Sequence, residues 1–202
     1  MMGLNLPKSY FGLDTHGLVI RLDSVSKWIA PGMRVGWIVA PSAMIERLLY
    51  HSQITIQQPA GISQAFLYTL FEALGRDGLD NMMKRLQWAY FQRRRIIVKS
   101  ARRHLAGLVN FTVPRSGMFL WLDCSPSGIH DAAARIPDLV KAKVLVVPGN
   151  WFLEQRGPSQ FLRATYSAAS EEGLDEGMRR LGKALAQIRE GGLPPIHIVT
   201  HD

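Results

Sequence analysis

The chain has 202 residues and a mass of 22.6 kDa, the size of one ordinary domain or of a domain with part of another, which excludes a multidomain machine. Apolar residues at 47% and charged residues at 20% supply material for a packed core, so a disordered tail and a collagen-like repeat are excluded as well. The formal net charge is +8, and its location says more than its size.

The lone cysteine, Cys124, cannot close an internal disulfide, and no cysteine spacing suits zinc; a reducing compartment and no bound metal are expected. The start, MMGLNLPKSYFGLD, lacks a charged segment followed by an apolar one, and no apolar run approaches the ~20 residues that span a bilayer. The expectation is a soluble intracellular protein with no membrane partner, cytoplasmic by default with a mitochondrial address as the alternative.

In chain order, Val19 to Leu22 and Val35 to Ala40 read as two short strands separated by a polar loop. Pro41 and Ser42 open a helix through Leu49. A second follows Pro59, with Ile62, Phe66, Leu70 and Leu74 on one stripe and Gly75 as its stop. A long helix then runs from near Leu79 to near Gly107, its apolar face formed by Leu79, Met82, Leu86, Tyr90, Ile97, Ala101 and Leu105. Four short strands are expected at Phe111 to Val113, Phe119 to Leu122, Val144 to Val147 and Phe161 to Thr165. A helical stretch from Asp131 to Lys141 lies between the second and third of these. A terminal helix from Glu171 to Arg189 carries Leu174, Met178, Leu181, Leu185 and Ile188, and the tail after Gly191 and Gly192 is expected to be loose. The two early strands make too small a sheet to be stable alone, so the first region reads as unfinished.

The whole charge excess sits on the long helix. Lys84, Arg85, Arg93, Arg94, Arg95, Lys99, Arg102 and Arg103 contain no acid among them, and the remaining basic and acidic residues balance at 16 each. With no nucleic-acid-binding motif beside it, this segment reads as a solvated helix face or subunit surface, polyanion binding is the lesser alternative, and no nucleic-acid partner is expected.

The loop between the first two strands concentrates chemistry. Asp23-Ser24-Val25-Ser26-Lys27 is followed by Pro31-Gly32-Met33-Arg34-Val35-Gly36. Serine hydroxyls donate to phosphate oxygens, and the arginine fork binds two oxygens at once. A deprotonated lysine amine attacks carbonyl carbon. A phosphate anchored beside such an amine describes a site for pyridoxal 5'-phosphate, with Pro31 and Gly32 turning Arg34 back toward the serines.

The pattern S-x-S-K-x-x-x-P-G-x-R-x-G is similar to the cofactor-lysine signature of fold-type I PLP-dependent aminotransferases of class I/II. Four stretches in order, RLDSVSKWIAPGMRVGW, SGMFLW, VLVVPGNWF and FLRATYS, resemble the kynurenine/2-aminoadipate and fungal aromatic-amino-acid aminotransferases, and the likeness runs from about Tyr10 to Ile188. It implies an α/β fold: the C-terminal part of the large cofactor domain over 1–78, then a connecting helix and the small α/β C-terminal domain over 79–190, with the tail at 191–202.

The same resemblance implies roles. Lys27 would hold the cofactor aldehyde covalently and carry the proton at the substrate Cα, while Ser24, Ser26 and Arg34 bind the phosphate. Arg163 would grip the substrate α-carboxylate, with Gly117, Met118, Phe119, Asn150, Trp151 and Phe152 near the substrate. For the last two, plain core is the competing assignment, and for Arg163 a structural ion pair. The implied reaction is transamination of an aromatic, kynurenine-like or 2-aminoadipate amino acid with a 2-oxo acid such as 2-oxoglutarate, by a homodimer. The family's remaining cofactor contacts, a stacking tyrosine, an asparagine and an aspartate at the pyridinium nitrogen, fall before Met1, so a truncated product of weak activity is expected. The alternatives are a non-catalytic interaction or dimerisation module and a regulator with a DNA-reading domain; the second is disfavoured because no helix-turn-helix precedes the motif.

Overall fold

A computed structural model describes residues 8–191. The tail after Gly191 lies outside the described residues. The chain divides into two compact units at Leu86 and Gln87, within the long helix rather than at its start. Each unit is built differently.

The first unit opens with a single helical turn, α1 (Tyr10–Leu13), capped by the Ser9 hydroxyl, which accepts from the Gly12 N–H. Strands β1 (Arg21–Ser24) and β2 (Gly36–Val39) form an antiparallel hairpin that pairs Arg21 with Val39 and Ser24 with Gly36. The first strand begins two residues later than its apolar residues suggest. The Asp14 carboxylate accepts from the Val19 and His16 N–H groups and commits the intervening segment to a turn. Helices α2 (Ser42–Ile54) and α3 (Gly61–His104) follow. Gly75 is non-helical, with φ +57° and ψ −174°, so α3 is two helical segments that meet there, and the first segment stops at the glycine as the sequence suggests. The stripe expected to pack is displaced, since Ile62 and Phe66 are exposed and Leu67 is the buried residue of that turn.

The second unit is a two-layer α/β fold. Burial deepens along α3: Tyr90 is half-buried, and Ile97, Ala101 and Leu105 are fully enclosed. Beyond the helix Gly107 adopts the left-handed conformation expected of it. Strands β3 (Phe119–Asp123), β4 (Val147–Pro148) and β5 (Phe161–Thr165) form an antiparallel sheet in the order β3-β5-β4, with α4 (Ile136–Lys141) between β3 and β4. The expected strand at Phe111 to Val113 is absent; only Asn110 pairs, bridging Asp123. The strand expected at Val144 to Val147 is observed only at Val147 and Pro148; the Val144 N–H donates instead to the Leu139 carbonyl at 2.9 Å, which ties the start of the segment to α4.

Helix α5 (Glu171–Arg189) matches its sequence pattern throughout. Ser170 caps it by accepting from the Gly173 N–H, glutamates 171 and 172 occupy the positive end of the helix dipole, and Leu174, Met178, Leu181, Leu185 and Ile188 are all buried. These residues cluster with Ile97, Leu105, Leu120, Leu122, Leu162 and the fully buried Cys124. Burial beside Asp123 pushes the Cys124 thiol up to about 12, so it is a neutral core group. No helix among the described residues is long and apolar enough to cross a membrane.

Candidate active site

The loop joining β1 to β2 is made of two single turns of 3-10 helix, Val25–Lys27 and Pro31–Met33. Five contacts define it. The Ser24 hydroxyl accepts from the Ser26 N–H at 3.2 Å. The N–H of the wholly buried Val25 donates to the Val35 carbonyl at 3.1 Å and closes the neck of the loop. The Trp28 indole N–H donates to the Ser24 carbonyl at 2.9 Å, and its ring stacks on Phe71 of α3 with centroids 6.1 Å apart and planes 2° from parallel. Gly36 lies against Asp23 so closely that a Cβ there would stand 2.5 Å from the Asp23 carbonyl oxygen, which leaves no room for a side chain. Trp28 and Gly36 were not singled out as site residues from sequence. The only signal for either was membership of the signature stretch around Lys27.

Arg34 follows the second turn in the left-handed region, φ +53° and ψ +35°. This conformation costs a non-glycine residue about 1–2 kcal/mol, and it returns the guanidinium to the first turn. One nitrogen, Nη1, donates to the Pro31 carbonyl at 3.2 Å and to the Ser26 hydroxyl at 3.5 Å. Ser24, Ser26 and Arg34 are therefore drawn together as the sequence suggested. Lys27 is exposed and makes no hydrogen bond or ion pair among the described residues.

The donor inventory tests whether a phosphate fits. The Ser24 and Ser26 hydroxyls both act as acceptors within the loop, so each O–H remains free to donate. Arg34 commits only Nη1 and keeps its Nε and Nη2 hydrogens. The carboxylate that directly precedes Ser24 in the chain, Asp23, is held by Arg21 at 2.6 Å. A cluster of free donors beside an unpartnered amine fits a phosphate-bearing aldehyde such as pyridoxal 5'-phosphate.

In the second unit, the side of the sheet opposite Leu120, Leu122 and Leu162 carries Phe119, Trp121 and Asp123 on β3 and Phe161 and Arg163 on β5. Arg163 is clasped between two rings, its guanidinium carbon 4.1 Å from the Phe119 centroid and 4.5 Å from that of Phe152. Its Nε is buried without a hydrogen-bond partner, and so is the Oδ1 of Asn150. Arg163 makes no ion pair among the described residues, so the structural pairing weighed against its functional role is not what holds it. The rings continue along the face. Phe152 meets Trp121 edge-on at 5.4 Å and Trp121 stacks on Phe161 at 5.6 Å, beside a cleft of about 320 Å³ that Phe111 and Asp123 help to line. Trp151 is 73% exposed and Phe152 about half exposed, which excludes plain core for both.

Tyr166 escaped the sequence analysis. It is fully buried, its hydroxyl donates to the Gly117 carbonyl at 2.8 Å and its N–H to the Met118 carbonyl at 3.0 Å; burial raises its pKa. It pins the segment that presents Phe119. Arg93 and Arg94, assigned to a solvated face, also have internal partners: Arg93 donates to the Ala169 carbonyl at 2.5 Å and Arg94 to that of Pro114 at 2.9 Å. Their positions at the edge of the apolar stripe were the available clue.

The β1–β2 loop of the first unit carries a lysine beside free hydrogen-bond donors, the small antiparallel sheet of the second unit carries a ring-clasped arginine, and the elements are those of the mixed α/β class. The family model described as aminotransferase class I and II matches residues 2–181, and the chain belongs to that family. It is 34% identical over 182 residues to the mitochondrial kynurenine/alpha-aminoadipate aminotransferase of Rattus norvegicus, covering 89% of this chain and 42% of the relative. An aromatic amino acid aminotransferase of Schizosaccharomyces pombe is 33% identical over 189 residues, with coverages of 87% and 39%. Among solved structures, the aminotransferase Aro8 from Candida albicans matches with a TM-score of 0.77 at 30% identity, over 91% of this chain and 42% of that one. The alpha-aminoadipate aminotransferase LysN from Thermus thermophilus, complexed with N-(5'-phosphopyridoxyl)-L-leucine, matches with a TM-score of 0.76 at 28% identity, over 84% and 42%. The chain thus spans about two-fifths of the length of the curated relatives it matches, and its fold is part of the fold-type I aminotransferase architecture.

Proposed function

We propose that this polypeptide serves a pyridoxal 5'-phosphate-dependent transamination between an aromatic or kynurenine-like amino acid and a 2-oxo acid such as 2-oxoglutarate, in a homodimer. The observation that carries the reading is the β1–β2 loop, where Lys27 stands without a partner beside the free donors of Ser24, Ser26 and Arg34. When bound, the cofactor supplies an electrophilic carbonyl and a ring that withdraws electrons from the substrate Cα–H bond. The hydroxyls of Ser24 and Ser26 and the Arg34 fork hold the phosphate. The Lys27 Nζ anchors the aldehyde and, once free, accepts and returns the proton at the substrate Cα. Arg163 receives the α-carboxylate on its unpaired hydrogens, and Phe119 and Phe152 fix the plane of the guanidinium.

The same sheet face favours an aromatic side chain over that of 2-aminoadipate. Its cleft is lined by Phe111, Trp121 and Phe161 with Asn110, Thr112 and the carboxylate of Asp123, whose charge opposes a second carboxylate there.

The test is reductive trapping: the chain is incubated with pyridoxal 5'-phosphate, treated with borohydride and mapped by peptide mass spectrometry. A phosphopyridoxyl label on Lys27 that vanishes in Lys27→Ala and weakens in Arg34→Ala is expected. A label absent from Lys27, or spread evenly over the lysines, overturns the reading.

A further inference from the structure

The basic residues in the run from Lys84 to Arg103 have different fates. Arg93 and Arg94 are bound to backbone carbonyls, and Arg103 lies in the field of Asp175. Arg95, Lys99 and Arg102 are exposed and have no hydrogen bond or ion pair among the described residues. Together with Gln92 and the backing residues Ile96 and Val98 they line an open groove along α3, whose lining also includes one acid, Glu171, against the three cations.

Helical geometry aligns this set with an aromatic residue. At 3.6 residues per turn, Trp88, Gln92, Arg95, Lys99 and Arg102 fall within an arc of about 80°, and Arg95 to Lys99 to Arg102 advance in steps of roughly 6 and 4.5 Å. Trp88 is 61% exposed, and its ring is steadied by stacking on Phe91 at 5.7 Å. All five residues belong to the second unit.

We propose that this face of α3 binds single-stranded nucleic acid, with one base stacked on Trp88 and successive phosphates met by Arg95, Lys99 and Arg102. A row of cations alone would suit any polyanion. The exposed indole at the head of the row is what selects a ligand carrying flat rings as well as a line of phosphates, because base stacking on an aromatic side chain adds to charge neutralisation. The stripe lies apart in sequence from Lys27 and from Arg163, and the proposal is independent of the transamination reading.

The experiment is fluorescence anisotropy of a labelled oligo-dT of about 12 nucleotides, within the range of common single-strand site sizes, titrated with the full chain from low to moderate salt. Three phosphate contacts predict a slope of log affinity against log salt near ~−2, from about −0.7 per contact on single strands. Neutralising the row (R95Q/K99Q/R102Q) is expected to flatten the slope toward zero, while the charge-preserving pair R95K/R102K keeps it. Trp88→Ala is expected to weaken binding about 5- to 100-fold with the slope unchanged. All three sets are surface changes, and far-UV circular dichroism verifies the fold. No binding at low salt overturns the proposal. So does binding that ignores Trp88, or equal recovery of the chain on phosphatidylserine vesicles with the same dependence on the three cations, since each would mark a mere electrostatic surface.

Discussion

The two units spend similar apolar sequence in different ways. From Gln87 onward a single cluster unites α3, the sheet and α5, and its members include fully buried Leu105, Leu120, Leu162, Leu181 and Tyr166. Before Gln87, the buried hydrophobic residues among those described are Val25 and Leu67, while Leu18, Ile54 and Ile62 each leave four-fifths or more of their surface exposed. The second unit is held by burial. The loop around Lys27 is held instead by short-range hydrogen bonds, one stacked tryptophan and one close backbone approach. The loop proposed to hold the cofactor therefore has its geometry fixed by bonds of a few residues' span rather than by burial.

The sharpest way to break this contrast is truncation of core side chains. Leu181→Ala in α5 should lose about 2–5 kcal/mol in urea unfolding, because it removes a fully buried side chain from close packing. Ile62→Ala, at a position 87% exposed, should move stability by no more than about 0.5 kcal/mol. Equal losses at the two positions would remove the distinction between the units.

A smaller effect should come from Gly36→Ala. The added methyl meets the Asp23 carbonyl at 2.5 Å, and relieving that contact should cost about 1–3 kcal/mol. The cost should be confined to the hairpin. Amide exchange is expected to quicken at Val25, whose N–H closes the loop, and to remain unchanged across β5.

The smallest effect is electrostatic. Glu176 accepts from Arg179 and Arg180, which hold its pKa near about 2 against an ordinary 4.5. A carboxylate depressed in the folded state stabilises fully above its unfolded pKa and loses that contribution as pH falls through the folded one, so the relevant window runs from about pH 4.5 down to about 2. Glu176→Gln should flatten the acid limb of the stability profile there. Because the group is solvent-exposed, added salt should shrink the difference between the two proteins.

Much of this architecture is legible from residue order. Helix α5 declares itself through Ser170, two following glutamates and five apolar residues at helical spacing, since its stability arises from a cap, a dipole and one buried stripe, all local or periodic properties. The lysine loop is legible for a similar reason: Ser24, Ser26, Lys27 and Arg34 lie within 11 consecutive residues, so a single hairpin neck brings them together. Sequence also concentrated the charge excess on one helix.

What escaped it depended on partners distant in the chain. The segment from Phe111 to Val113 has strand-like residues yet no neighbour to complete a ladder, and pairing requires a second strand in register. Arg93 and Arg94 look like solvated cations until the carbonyls of Ala169 and Pro114 are placed beside them, 76 and 20 residues away. Arg163 is an arginine on a strand in the sequence. Only antiparallel registration with Phe119's strand and the return of Phe152 over the sheet make it a clasped, partly unpartnered guanidinium. Local sequence determines elements whose stabilising contacts lie within a few turns, and tertiary structure decides which polar groups are satisfied and which remain available for a ligand.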